Sequence, residues 1–80
     1  MPRPDTGRLA WRCRRGMKEL DILLGRWLQR EFVHADADLQ AAFAQFLELP
    51  DPELGRYLLA GEQPTDPRFR QLVAAMVGRT

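Results

Sequence analysis

Apolar residues recur along this chain at helical spacing, and no stretch alternates polar and apolar as a half-buried strand would. In TGRLAWRCRR, Leu9, Ala10 and Cys13 share one face and predict a short first helix, with Thr6 as its N-cap. The strongest signal runs from about Met17 to Phe32. There Leu20, Leu23, Leu24, Trp27 and Leu28 follow the i, i+3, i+4, i+7 rule, and Glu19 and Asp21 occupy the dipole-favoured first turn. VHADAD breaks the pattern and offers Asp36 or Asp38 as the cap of a third helix, whose stripe is Leu39, Ala42, Phe43, Phe46 and Leu47. LPDPELGRYLLAG predicts a short fourth helix, with Asp51 as cap, Pro52 at the first helical position and Gly61 as terminator. QPTDPRFRQLVAAMV repeats the device with Asp66 and Pro67. The fold expected is all-α: a small antiparallel bundle of five short helices, one domain over residues 1–80 with a flexible arm at 1–6. Leu20, Leu24, Trp27, Phe43, Leu47, Leu58, Phe69, Leu72 and Met76 are its expected core.

Eighty residues lie near the lower limit for a chain that buries its own core, and 45% apolar with 29% charged residues fits a globular domain rather than disorder. The longest apolar candidate, LDILLGRWL, is broken by Gly25 and Arg26, so membrane insertion is not expected. One cysteine excludes an internal disulfide. With only His34 for company it cannot build a zinc site, so Cys13 reads as a small packing residue in a reducing compartment. Carboxylates are plentiful, but Asp36, Asp38, Asp51 and Asp66 are accounted for as caps. The chain has no serine, no base–nucleophile pair and no phosphate-binding glycine loop, so no catalytic activity of its own is expected.

Charge changes the picture at one end. Residues 1–18 hold six cationic side chains against the single acid Asp5, whereas residues 19–80 hold six against ten. Asp5 and the packed-looking segment that follows argue for mature protein rather than a transit peptide. Nucleic-acid binding is not expected, because the later helices are neutral or acidic and offer no basic recognition face.

The basic beginning ends in a crowded corner. Trp11, Arg14, Arg15, Met17 and Glu19 all lie near Gly16, and Trp, Met and Arg are types enriched at interface cores. The plain reading makes Gly16 the left-handed C-cap of the first helix and pairs Arg15 with Glu19 in solvent. The functional reading makes the glycine a point of close backbone approach for a partner. From the residues alone the chain is a helical adaptor with a recognition corner at residues 11–21, antitoxin-like sequestration of another protein included.

The same residues carry a resemblance. WRCRRGMKELD, Trp11 to Asp21, resembles the signature of the SdhE-type assembly factors of succinate dehydrogenase, with its R-G-x-x-E motif at Arg15, Gly16 and Glu19. DPEL, YLLAG and PTD match further family positions, so the resemblance spans about residues 8–78. Tyr57 departs from it, standing where many members have tryptophan. The resemblance implies a five-helix bacterial protein of the cytoplasm that binds the succinate dehydrogenase flavoprotein subunit and promotes its covalent FAD attachment. The fumarate reductase subunit is a second candidate client. FAD would be the partner's cofactor, with none bound stably here. By the same resemblance Arg15 and Glu19 make charged hydrogen bonds to the flavoprotein and Gly16 permits close contact. Arg14, Met17, Asp21 and Trp11 are further partner-binding candidates.

Overall fold

In a computed structural model, which describes residues 6–78, the chain folds as five α-helices: α1 (Thr6–Arg12), α2 (Lys18–Arg30), α3 (Ala37–Phe46), α4 (Asp51–Leu58) and α5 (Pro67–Val77). A single 3-10 turn, Phe32–His34, links α2 to α3. No strand occurs among the described residues, as the spacing predicts. Of the flexible arm expected at residues 1–6, Thr6 opens α1, and residues 1–5 and the cap expected of the Thr6 side chain lie outside what is described.

Both early helices are shorter than predicted. The end of α1 tightens: the Cys13 N–H donates to the carbonyls of Leu9 and Ala10, and the Arg14 N–H donates to Trp11 O. These three-residue closures end the helix and free Arg15 to leave its axis. Helix α2 stops at Arg30, and the 3-10 turn drops Phe32, only 2% exposed, into the core.

α2 and α5 are the hub. α2 packs on α1, α4 and α5, and α5 also packs on α3 and α4. Leu20, Leu24, Phe43, Phe46, Leu54 and Leu72 are fully enclosed, each worth roughly 1.5–3 kcal/mol of transfer free energy. Trp27 stacks on Phe43 at 4.6 Å between ring centroids and meets Phe32 edge-on at 6.1 Å. Of the expected core, Phe69 and Met76 are only partly buried and pack against the cluster. Leu9, Leu28, Phe32 and Leu54 join it instead.

Capping follows the sequence at two helices and departs from it at a third. The Asp36 carboxylate accepts from Leu39 N at 2.8 Å, and that of Asp66 from Arg68 N at 2.8 Å. Asp51 does not cap: the residue before α4 is Pro50, which has no side-chain cap, and the Asp51 carboxylate is turned to a distant partner. Gly61, at φ +82°, lies beyond the last turn of α4 and lets the Glu62 N–H return to Arg56 O at 2.9 Å.

Candidate functional site

The α1–α2 corner is built around one guanidinium. The Arg15 Nε–H donates to Asp51 Oδ1 at 2.8 Å. Its Nη1 donates to the carbonyls of Arg12 (2.9 Å) and Leu47 (2.8 Å), and its Nη2 to that of Leu49 (2.7 Å). Four of its five N–H donors are thus satisfied inside the chain, and the side chain is only 15% exposed. A planar fork suits this task, since it meets a carboxylate and three carbonyls that no single point charge could reach together. The fork ties the corner to the α3–α4 turn, whose carbonyls no longer have helical partners. Arg12 adds a looser bond to the same region, 3.7 Å from Glu48.

Asp21 secures the other side. From the first turn of α2 its Oδ1 accepts the Arg15 backbone N–H at 2.7 Å. The expected Arg15–Glu19 ion pair does not form, because Asp51 takes the guanidinium in a less exposed place. Gly16 is left-handed, φ +85°, as expected, but it is not the C-cap of α1, which ends four residues earlier. It turns the chain into Met17, whose extended backbone precedes α2. A Cβ placed on Gly16 would meet nothing within 4 Å, so the glycine opens onto free space.

What the corner leaves outward is distinct from what it turns inward. Trp11 is 71% exposed and Met17 40%. The side chains of Arg14 and Glu19 are exposed and make no hydrogen bond or ion pair among the described residues. The seven candidate residues therefore divide. Arg15 and Asp21 are engaged within the chain, while Trp11, Arg14, Gly16, Met17 and Glu19 present an apolar, charged and sterically open surface. Asp51 was not foreseen as part of this site. Its place beside Pro52 gave a local explanation, and only the recurrence of a D-P-E-L match beside the R-G-x-x-E match pointed to it.

Cys13 lies beneath the corner, 3% exposed, and burial pushes its thiol up to about 11, against a smaller opposing pull from Arg15. It is a packing residue with little thiolate at neutral pH. Among the described residues no cluster of three or more His, Cys, Asp or Glu side chains could hold a metal ion.

Residues 7–80 match the family described as flavinator of succinate dehydrogenase. The chain belongs to this family. Among its relatives, the FAD assembly factor SdhE of Methylococcus capsulatus is 41% identical over 78 residues, covering 94% of each chain. That of Coxiella burnetii is 38% identical over 66 residues, covering 82% of this chain and 80% of the relative. The Pseudomonas aeruginosa factor is 36% identical over 75 residues, covering 94% and 89%. No solved structure matches the chain significantly. Within this family member, two of the segments that carried the resemblance are joined physically, since Arg15 of one grips Asp51 of the other.

Proposed function

We propose that this protein is the FAD assembly factor of a bacterial succinate dehydrogenase. It binds the flavoprotein subunit in the cytoplasm and promotes covalent attachment of FAD there, with the related fumarate reductase subunit as a second client. The flavoprotein forms its own bond to the flavin. The factor acts by preferring, and so populating, the arrangement in which that bond forms, and it needs no nucleophile, base or metal for this. It holds no flavin stably: Trp27, one of two tryptophans able to stack on an isoalloxazine, is occupied by Phe43 in the core.

The observation that carries the reading is the outward half of the corner in a member of this family. Gly16 is open to close approach, and Glu19 is an unpaired carboxylate beside exposed Met17. Glu19 makes the charged hydrogen bond to the flavoprotein, and Trp11, Met17 and Arg14 surround it. Arg15 and Asp21 act as positioning residues that fix the corner for its partner. Removing one member of a desolvated charged pair costs about 2–5 kcal/mol of binding, enough to abolish a transient complex.

The test mixes the protein with apo flavoprotein subunit and FAD and reads covalent flavin by in-gel fluorescence after denaturation. Wild type raises the signal. Glu19→Ala leaves it at the level without factor while the circular dichroism spectrum is unchanged, and Gly16→Arg does the same with some loss of stability. A Glu19→Ala protein that supports flavinylation fully would overturn the assignment of this residue. A wild type that binds the subunit without raising fluorescence would reduce the function to holding it.

A further inference from the structure

The corner at residues 11–21 offers too few residues for a specific interface, which typically engages about 20–30 on each side. The exposed face of α2 continues from it. Lys18, Ile22, Arg26 and Arg30 recur every fourth residue and are all exposed, forming one stripe about 18 Å long. We infer that Ile22, Arg26 and Arg30 form a second docking ridge, which receives an acidic, partly apolar segment of the flavoprotein partner. This inference rests on the proposed function for the identity of the partner and on the following geometry for the surface itself.

Arg26 and Arg30 stand on the shared wall of two grooves. One, of about 500 Å³, lies between α2 and α5 and presents Leu23, Trp27, Met76 and Val77. The other, of about 340 Å³, lies on the opposite flank beside Ile22, Gly25 and Gln29. Ile22 is 45% exposed and Val77 53%, so each flank of the ridge carries uncovered apolar surface. A Cβ on Gly25 would meet nothing within 4 Å, which leaves the second flank open to a close approach.

The charges on the ridge are uncompensated. Arg12, Arg15, Arg56 and Arg68 each have a carboxylate partner, but Lys18, Arg26 and Arg30 have none among the described residues. Glu31 and Asp21 border the grooves, yet neither pairs with an arginine of the ridge. Arg30 suits the C-terminal end of α2, where the dipole favours a cation. Arg26 has no such reason, and with Arg30 at i+4 it weakens the helix slightly. Two unpaired guanidiniums flanked by the exposed side chains of Ile22 and Val77 select a segment with carboxylates one helical turn apart and apolar neighbours.

The experiment uses full-length protein carrying Arg26→Glu and Arg30→Glu together, with binding to the apo flavoprotein subunit measured at low and high salt. The expected result is binding weakened about tenfold or more, with a flatter salt dependence and an unchanged circular dichroism spectrum. If the charge-reversed protein does not fold, Arg26→Gln with Arg30→Gln gives a smaller loss in the same direction. Equal affinity and equal salt dependence for wild type and variant overturn the ridge while leaving the proposed function intact. If wild type itself does not bind the subunit, the functional reading falls. The ridge is then tested by NMR titration with a helical peptide of Glu at i and i+4 flanked by Leu. Shifts confined to α2 and the end of α5 keep it, and their absence overturns it. Stronger ridge-dependent binding of a single-stranded RNA oligonucleotide or of phosphatidylglycerol vesicles overturns the assignment to a protein segment.

Discussion

Two helices of this protein begin with the same dipeptide and use it in opposite ways. Asp66 stays local: its carboxylate accepts the Arg68 N–H at 2.8 Å and holds the Arg68 guanidinium at 3.2 Å, two residues away in sequence. Asp51 starts α4 in the same company of proline, but gives no cap and reaches Arg15, 36 residues earlier, at 2.8 Å. The difference lies in what surrounds each carboxylate. Near Asp51 the α3–α4 turn exposes the carbonyls of Leu47 and Leu49, and a guanidinium that satisfies both also places its Nε–H on the acid. One cation thereby closes several otherwise unmet backbone groups, which a local cap cannot do. Beside Asp66 the carbonyls of Pro64 and Thr65 are already met by the Arg70 guanidinium of the same helix, at 3.2 and 3.1 Å, and the Asp66 carboxylate is left to the cap. A carboxylate at a helix start is therefore a structural brace or a cap according to the unsatisfied groups that tertiary packing brings beside it.

The sharpest way to break this comparison is at the brace. Arg15→Ala removes four hydrogen bonds and leaves a half-buried carboxylate unpaired, and should destabilise the protein by about 2–4 kcal/mol in urea unfolding. Arg15→Lys should recover little, because an ammonium cannot span the same acceptors. A loss within the scatter of ordinary surface substitutions would mean that Arg15 is free for the partner and that the brace is dispensable. Next comes the turn that the brace holds. Gly16→Ala meets no steric neighbour but must adopt φ +85°, and should lose about 1–2 kcal/mol by the same measurement.

The cap should respond to pH rather than dominate stability. Hydrogen bonds from the Arg68 side chain and backbone hold the Asp66 carboxyl below the usual carboxylate range. Its folded pKa is thus lower than its unfolded value of about 3.9, so the stabilisation is present above that value and fades as pH falls through the folded pKa. Asp66→Asn keeps a capping oxygen and removes the charge. Wild type should therefore exceed it at pH 6 by less than it exceeds Arg15→Ala, with the gap closing below about pH 4. A gap that persists in acid would assign the difference to packing.

The smallest expected effect concerns the two tryptophans. Trp11→Phe should leave the unfolding midpoint unchanged and remove the red-shifted part of the emission, leaving the buried Trp27. If Trp11 belongs to the partner surface, its emission in the wild type shifts to the blue when the flavoprotein subunit is added.

Much of the fold was legible because its causes are local. The stripes of Leu20, Leu24 and Trp27 and of Ala42, Phe43 and Phe46 carry the helical period, and Pro67 with Asp66 announces α5 at the correct residue. The 3-10 turn at Phe32 was not legible, since its cause is a place for an aromatic ring beside the stacked pair of Trp27 and Phe43. At the site, the need for a left-handed residue at Gly16 and the exposure of Trp11 and Met17 follow from residue type and context. The partner of Arg15 does not. Glu19 lies four residues away with the right charge, and nothing in the local pattern ranks Asp51 above it.

By itself the sequence determined the helices, most of their boundaries, the apolar faces they bury and the family to which the chain belongs. Each of these depends on periodicity, on proline and glycine backbone limits, or on the identities of short runs, all of which act within a few residues. Only the tertiary structure decided which charged groups of the corner turn inward. That choice depends on distant carbonyls left unmet where α3 gives way to α4, and a guanidinium goes where it satisfies the most acceptors out of water. Arg15 and Asp21 are consumed by that demand, and Arg14 and Glu19 stay exposed without a partner among the described residues.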